Sequence, residues 1–175
     1  MGHADVTEFS PLNVAVLTVS DSRTHENDTS GDALQERLEE AGHHLAERLI
    51  VPDNIYRMRE IFSRWIADPQ VQVVISTGGT GLTGRDSTPE AVTPLFDKAI
   101  EGFGELFRHV SLKDIGGSTI QSRAVAGLAN STLVFCLPGS TGACRTGWDE
   151  ILKEQLDIRT RPCNFAQMYP RMGEE

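Results

Sequence analysis

The sequence predicts an α/β domain of three layers, a mostly parallel β-sheet with helices on both faces. Three observations predict it. At 175 residues the chain suits one compact domain with its own core. Its strand-like runs are apolar throughout, as strands covered on both faces are, and they alternate with segments of helical spacing. Each such run also ends in a polar or glycine-rich loop, and in parallel α/β sheets those ends form the ligand crevice.

The elements follow in order. Asn13 to Val19 is a β-branched apolar run of strand length. A loop from Ser20 to Ser30 holds turn and cap formers, and Leu34, Leu38 and Ala41 then mark one face of a helix closed by Gly42. His43 to Val51 reads as a weaker strand, followed by Pro52-Asp53-Asn54 and a helix with Ile55, Met58, Ile61, Phe62, Trp65 and Ile66 on its apolar face. Val71 to Ser76 is the third strand and runs into Thr77-Gly78-Gly79-Thr80-Gly81, where the chain must turn tightly. The spacing predicts a helix from Thr88 as N-cap with Pro89 at its first position, shortened or kinked by Pro94. From Gly102 to Ala129 the pattern is helical, broken at Gly116-Gly117. Leu133 to Leu137 is a strand, Pro138-Gly139-Ser140 a turn, and about Thr141 to Leu152 a helix.

Composition narrows the function. Lys and Arg total 16 against 25 Asp and Glu, a net charge of −9 that repels nucleic acid and anionic lipid. No apolar stretch reaches the ~18–20 residues of a membrane span and no signal region is visible, so a cytoplasmic protein is expected. Cys136, Cys144 and Cys163 form no C-x-x-C pair and read as reduced thiols, with Cys136 in the core. His25, His43, His44 and His109 show no metal spacing, and Trp65 and Trp148 read as packing residues.

Gly79 to Gly84 matches G-x-G-x-x-G, yet it follows the third strand rather than the first, and the acid expected about 20 residues on would have to be Glu105, in a helical stretch instead of at a strand end. A dinucleotide-dependent oxidoreductase is therefore a remote reading. No Gly-Lys-Ser/Thr completes a Walker loop. Arg85-Asp86-Ser87-Thr88 crowds the same strand end with a cation, a carboxylate and hydroxyls. Asp86 is either a cap or loop acid, or a Mg²⁺ ligand, because a dication carrying phosphates takes one or two carboxylates. Asp53 is either the N-cap of the second helix or a second acid facing the crevice. Pro138-Gly139-Ser140 can be a plain turn or an anion site at a helix start. Arg85, Arg123 and Arg145 are the cations weighed for phosphate, each equally a surface or ion-paired side chain.

Thr77-Gly78-Gly79-Thr80-Gly81, Arg85-Asp86-x-Thr88-Pro89-Glu90-Ala91, Gly102-Phe103-Gly104-Glu105 and Pro138-Gly139-Ser140, in this order and spacing, resemble the molybdopterin-binding MoaB/MogA family. Ala41 to His44, Gln121 to Gly127 and Arg159 to Phe165 are more similar to its MoaB branch than to its MogA branch. The resemblance implies a Rossmann-like, MoaB/MogA-like domain at 13–165, between a flexible segment at 1–12 and a tail at 166–175. It implies a homo-oligomer, trimer or hexamer, that works beside other molybdenum cofactor enzymes. It further implies adenylylation of molybdopterin by Mg²⁺-bound ATP, giving adenylyl-molybdopterin and pyrophosphate. Asp86 and Asp53 match the family's two functional acids and are expected to be catalytic and to place Mg²⁺. Thr77, Gly78, Gly79, Thr80, Gly81 and Arg85 are expected at the phosphates and nucleotide, and Ser20, Asp21, Ser22, Pro138, Gly139 and Ser140 at the pterin. A non-catalytic molybdopterin carrier or scaffold is the alternative within the same pathway.

Overall fold

The computed structural model describes residues 8–174. β1 (Asn13–Val19), β2 (His44–Val51), β3 (Val73–Thr77) and β6 (Thr132–Leu137) are mutually parallel. β5 (Val125–Ala129) and β4 (Lys98–Ala99) extend the sheet antiparallel, in the order β2-β1-β3-β6-β5-β4.

Side-chain alternation divides the core in two, as three layers require. On one face Val14, Val16, Val73, Ile75, Leu133 and Phe135 pack on Leu34 and Leu38 of α1 (Thr29–Glu40), Phe103 and Phe107 of α4 (Glu101–Ile115), and Trp148. On the other, Ala15, Leu17, Val74, Val134 and Cys136 pack on Met58, Phe62 and Trp65 of α2 (Ile55–Ala67) and on Ala91 and Val92 of α3 (Thr88–Val92). One tryptophan thus anchors each face, and both are almost fully buried.

Several local expectations change. The 102–129 stretch is helical only through α4 and a 3₁₀ run at Gly116–Gln121; it then becomes β5, which turns back into β6 through Asn130 and Ser131, both at positive φ. A two-residue connection of that handedness joins antiparallel neighbours. The strand escapes periodicity because it is short and glycine-bearing, and Gly127 is dictated by packing: a Cβ there would stand 2.3 Å from the Phe96 ring. Asn54, not Asp53, caps α2, its Oδ1 accepting from Tyr56 N–H at 3.0 Å and Arg57 N–H at 3.1 Å. Ser87 holds the cap position of α3 and Thr88 is its first residue; the helix stops at Val92, with a 3₁₀ turn at Thr93–Leu95 around Pro94. The last long helix is α5 (Thr141–Gly147), a π-helical turn (Trp148–Leu152) and α6 (Lys153–Gln155).

The expected flexible segment at 1–12 falls largely on residues 1–7, which lie outside the described residues. Packing continues on either side of 13–165. Leu12 is buried and its N–H donates to Nδ1 of the buried His43 at 3.1 Å, while Ala166 of α7 (Phe165–Met168) is buried beneath an Asn164 cap. No helix among the described residues is long and apolar enough to cross a membrane.

Candidate active site

The C-terminal ends of β1, β2, β3 and β6 open into one cavity of about 640 Å³. It is large enough for a drug-sized ligand. Its strand-end wall carries Ser20, Asp53, Thr77 through Gly81, Asp86 and Pro138 through Ser140. These eleven positions, separate in sequence, are brought together. Asp21, Ser22 and Arg85 stand outside the lining.

The glycine turn is shaped by what crowds it. Gly78 and Gly79 have φ of +100° and +67°, which favours glycine, and a Cβ on Gly78 would lie 2.1 Å from the Val19 carbonyl oxygen. Thr88 serves this turn rather than capping α3: its Oγ1 donates to the Gly78 carbonyl at 2.9 Å, and its N–H donates to the Gly79 carbonyl at 2.9 Å. Thr77 Oγ1 donates to the Pro138 carbonyl at 2.9 Å, and the buried Cys144 thiol donates to Thr77 Oγ1 at 3.1 Å. The β3 and β6 loops are therefore one rigid unit. Burial pushes the Cys144 thiol up to about 11 and the Cys136 thiol to about 12, so neither is a thiolate at neutral pH.

Two carboxylates border the glycine turn. Asp53 Oδ1 is 3.2 Å from where a Cβ on Gly79 would stand, and Asp86 Oδ2 is 2.6 Å from one on Gly81. Asp86 accepts from Thr83 Oγ1 at 2.6 Å and Thr83 N–H at 2.9 Å. The Thr83 hydroxyl, helped by backbone N–H groups, holds its carboxyl below the usual range despite some burial. Asp53 shifts the other way: burial, then the charges of Asp21 and Asp86, raise it against the pull of Arg85. Asp53 is the electrostatically strained member of the pair.

Arg85 forks onto Asp21, Nε at 2.9 Å and Nη2 at 2.6–2.7 Å, and Asp21 Oδ1 also accepts the Asp53 N–H at 3.0 Å. This bridge joins the β1, β2 and β3 loops across the rim, and Arg85 holds Asp21 below the usual carboxylate range. Arg123 donates to the Gly81 carbonyl at 2.6–2.9 Å and pairs with Glu90, so it buttresses the glycine loop from behind. Arg145 is exposed on α5 and does not line the cavity.

The sequence reading gave no place to the cavity's helical wall or to its floor. Phe107, Ser111 and Asp114 of α4, Ser118 and Gln121 of the 3₁₀ run and Thr146 of α5 form the wall. At the floor the fully buried Asp28 accepts from Thr18 Oγ1 (2.7 Å), Gly31 N–H (3.0 Å) and Arg48 Nη2 (2.9 Å). Burial alone would raise Asp28, and these three bonds together hold it below the usual range. Asp28 thereby caps α1 and fixes Ser30, whose Oγ donates to the Gly139 carbonyl at 2.8 Å. A cap residue directly before Thr29-Ser30-Gly31 was the available signal, but nothing local tells that its second oxygen meets Thr18 and Arg48.

Among the described residues no three His, Cys, Asp or Glu side chains converge as a ready-made metal cage. Asp53 and Asp86, two carboxylates close against the glycines of one turn, fit an ion delivered on a phosphate, which needs one or two protein oxygens.

The profile of the family described as "Probable molybdopterin binding domain" matches residues 15–158, a span that contains every strand end of the cavity. The chain belongs to the MoaB/MogA family of molybdopterin-binding proteins. It is 58% identical over 159 residues to molybdenum cofactor biosynthesis protein B of Escherichia coli K12, covering 91% of this chain and 94% of that one. A crystal structure of molybdenum cofactor biosynthesis protein B superposes with a TM-score of 0.85 at 38% identity, covering 95% of this chain and 98% of that chain. The tungsten cofactor synthesizing protein MoaB of Pyrococcus furiosus superposes with a TM-score of 0.74 at 38% identity, covering 82% and 92%. The resemblance read from four short motifs is thus that of the whole domain, and the family's setting is molybdenum and tungsten cofactor biosynthesis.

Proposed function

We propose that this protein binds molybdopterin and adenylylates it with Mg²⁺-bound ATP, as a cytoplasmic step of molybdenum cofactor biosynthesis. The observation that carries the reading is the pair Asp53 and Asp86 at one glycine turn, each carboxylate standing where a Cβ on Gly79 or Gly81 would meet it. In the reaction an oxygen of the pterin's terminal phosphate forms a bond to the α-phosphorus of ATP. The bond from that phosphorus to the bridging oxygen breaks, and pyrophosphate leaves with the electron pair. A phosphomonoester dianion is already nucleophilic, so no residue has to remove a proton, which suits a cavity whose lining, among the described residues, holds no His and no Cys. Positioning and charge neutralisation supply the acceleration.

Within the Thr77–Gly81 turn the Gly78 N–H already donates to the Leu137 carbonyl, so the main-chain N–H groups of Gly79 and Thr80 would serve phosphate oxygens at the nucleotide end. Asp53 and Asp86 would hold Mg²⁺, which supplies charge neutralisation on the ATP phosphates. Ser20 and Pro138–Ser140 face the pterin end; Asp21 and Arg85 steady the rim and the Asp53 backbone. Pyrophosphate release from ATP and molybdopterin by the purified protein is the direct test. Tight pterin binding with no pyrophosphate would leave the carrier function in its place.

Gly81 offers a finer test than Gly79, where a Cβ would stand 2.3 Å from Thr88 Oγ1 and disturb the fold. In Gly81→Ala the new methyl collides with the Asp86 carboxylate. Adenylylation should fall about 10-fold with melting nearly unchanged, the cost of a displaced carboxylate. Unaltered turnover would show that the placement of Asp86 does not matter.

The protein is also expected to assemble as a trimer or hexamer. Leu112 and Ile115, one turn apart on α4, and Ile120 beyond its end are 48–83% exposed, apolar surface that suits burial between copies. Light scattering at micromolar concentration should give a multiple of 19.2 kDa, and the single-chain mass would refute the assembly.

A further inference from the structure

An anion entering this cavity meets few cations. Four aspartates line it, Asp28, Asp53, Asp86 and Asp114, and among the described residues Arg23 is its one lining Lys or Arg. The two arginines nearest the glycine turn are engaged elsewhere, Arg85 with Asp21 and Arg123 with Glu90 and the Gly81 carbonyl. Arg23 differs. Among the described residues it pairs with no carboxylate; Nη1 donates to the Asn27 carbonyl of its own loop, and the remaining guanidinium donors are left for a ligand.

The surrounding loop is built to hold Arg23 at the wall. Its backbone N–H donates to Ser20 Oγ at 3.1 Å, Thr24 N–H donates to Asn27 Oδ1 at 2.8 Å, and the next residue, Asp28, is anchored in the floor. Beside Arg23 the wall presents Ser20, Ser30, Gly139 and Ser140.

We infer that Arg23 receives the terminal phosphate of the pterin, a role that rests on the proposed adenylylation. The two substrates differ in how their charge is compensated. ATP comes with a dication and belongs at the carboxylate end, which would repel a bare phosphate. A phosphomonoester carries a charge of about −2 at neutral pH with no metal of its own, so it requires a protein cation. A guanidinium is permanently charged and its fork matches two phosphate oxygens. Held there by two of its oxygens, the phosphate keeps a third free to attack.

The test compares wild type with Arg23→Gln and Arg23→Lys, titrating each with molybdopterin, with its dephosphorylated form, and with Mg²⁺-bound ATP. Wild type should prefer the phosphorylated pterin by at least ~10-fold, the scale of a charge-assisted contact. Arg23→Gln should lose that preference while keeping its affinity for the dephosphorylated pterin and for ATP, and Arg23→Lys should recover it in part. Equal weakening toward both pterins would reduce Arg23 to a loop-shaping residue, and weakening toward ATP alone would move it to the nucleotide. Either result, or a fully retained preference in Arg23→Gln, overturns the inference and leaves the adenylylation reading standing. A wild type that binds neither pterin overturns both.

Discussion

Asp86→Asn is expected to melt almost like wild type, to keep molybdopterin binding, and to lose at least ~100-fold in adenylylation, the scale of a lost electrostatic contact at a transition state. The separation follows from what Asp86 does in the fold. It caps no helix, because Ser87 holds that position at α3, so the ~1 kcal/mol of a lost cap does not arise. Its structural bonds are to Thr83, at 2.6 Å and 2.9 Å, and an amide oxygen can accept the N–H bond as a carboxylate does. What the amide lacks is charge. With the Thr83 hydroxyl holding Asp86 below the usual range, wild type presents a full negative charge beside the glycine turn at any pH near neutral. Pyrophosphate release and a thermal melt of the same preparation decide the matter. Wild-type turnover in the variant would remove Asp86 from the chemistry.

Arg85 and Asp86 are adjacent in sequence and divide their work in space. The motif announces both, but only the fold shows that the arginine reaches back across 64 residues to Asp21 while the aspartate stays on the glycine turn. A pairing that bridges loops from different strands leaves no trace in local spacing. The parallel strands were legible because burial on both faces makes each an unbroken apolar run that ends abruptly in polar residues. β5 was not, since Val125 to Ala129 owes its strand conformation to β6 and its glycine to Phe96. The two halves of the cavity differ in the same way. Its strand-end half announces itself in glycines, hydroxyls and acids, while its helical half is made of Phe107, Ser111 and Asp114, ordinary residues of an amphipathic helix until α4 is laid over the strand ends. Arg23 sat within a loop already read as turn chemistry, and nothing in its neighbours distinguished a wall residue from a solvated one.

Asp53→Asn is expected to raise the melting temperature at neutral pH and to abolish adenylylation to at least the same ~100-fold extent. Both effects follow from the strain at this position. Asn54 does the capping of α2, so the Asp53 side chain carries no cap bond that the amide would forfeit. Burial and the charges of Asp21 and Asp86 raise the Asp53 carboxyl above its ordinary value, so its ionised form is disfavoured in the folded protein relative to the unfolded chain. That penalty is present above the raised value and disappears as the pH falls through it. The amide carries no charge and is free of the penalty at every pH, so the variant should melt above wild type at pH 7–8, and the gap should close as the pH enters the carboxylate range. Mg²⁺ should narrow the same gap from the other side, by stabilising wild type more than the variant. A lower melting temperature with lost activity would make Asp53 a structural residue, and a higher one with retained activity would leave only a repelled loop acid. A gain in stability coupled to a loss of turnover is the outcome specific to a site that holds two carboxylates apart from their counter-ion until the nucleotide delivers it.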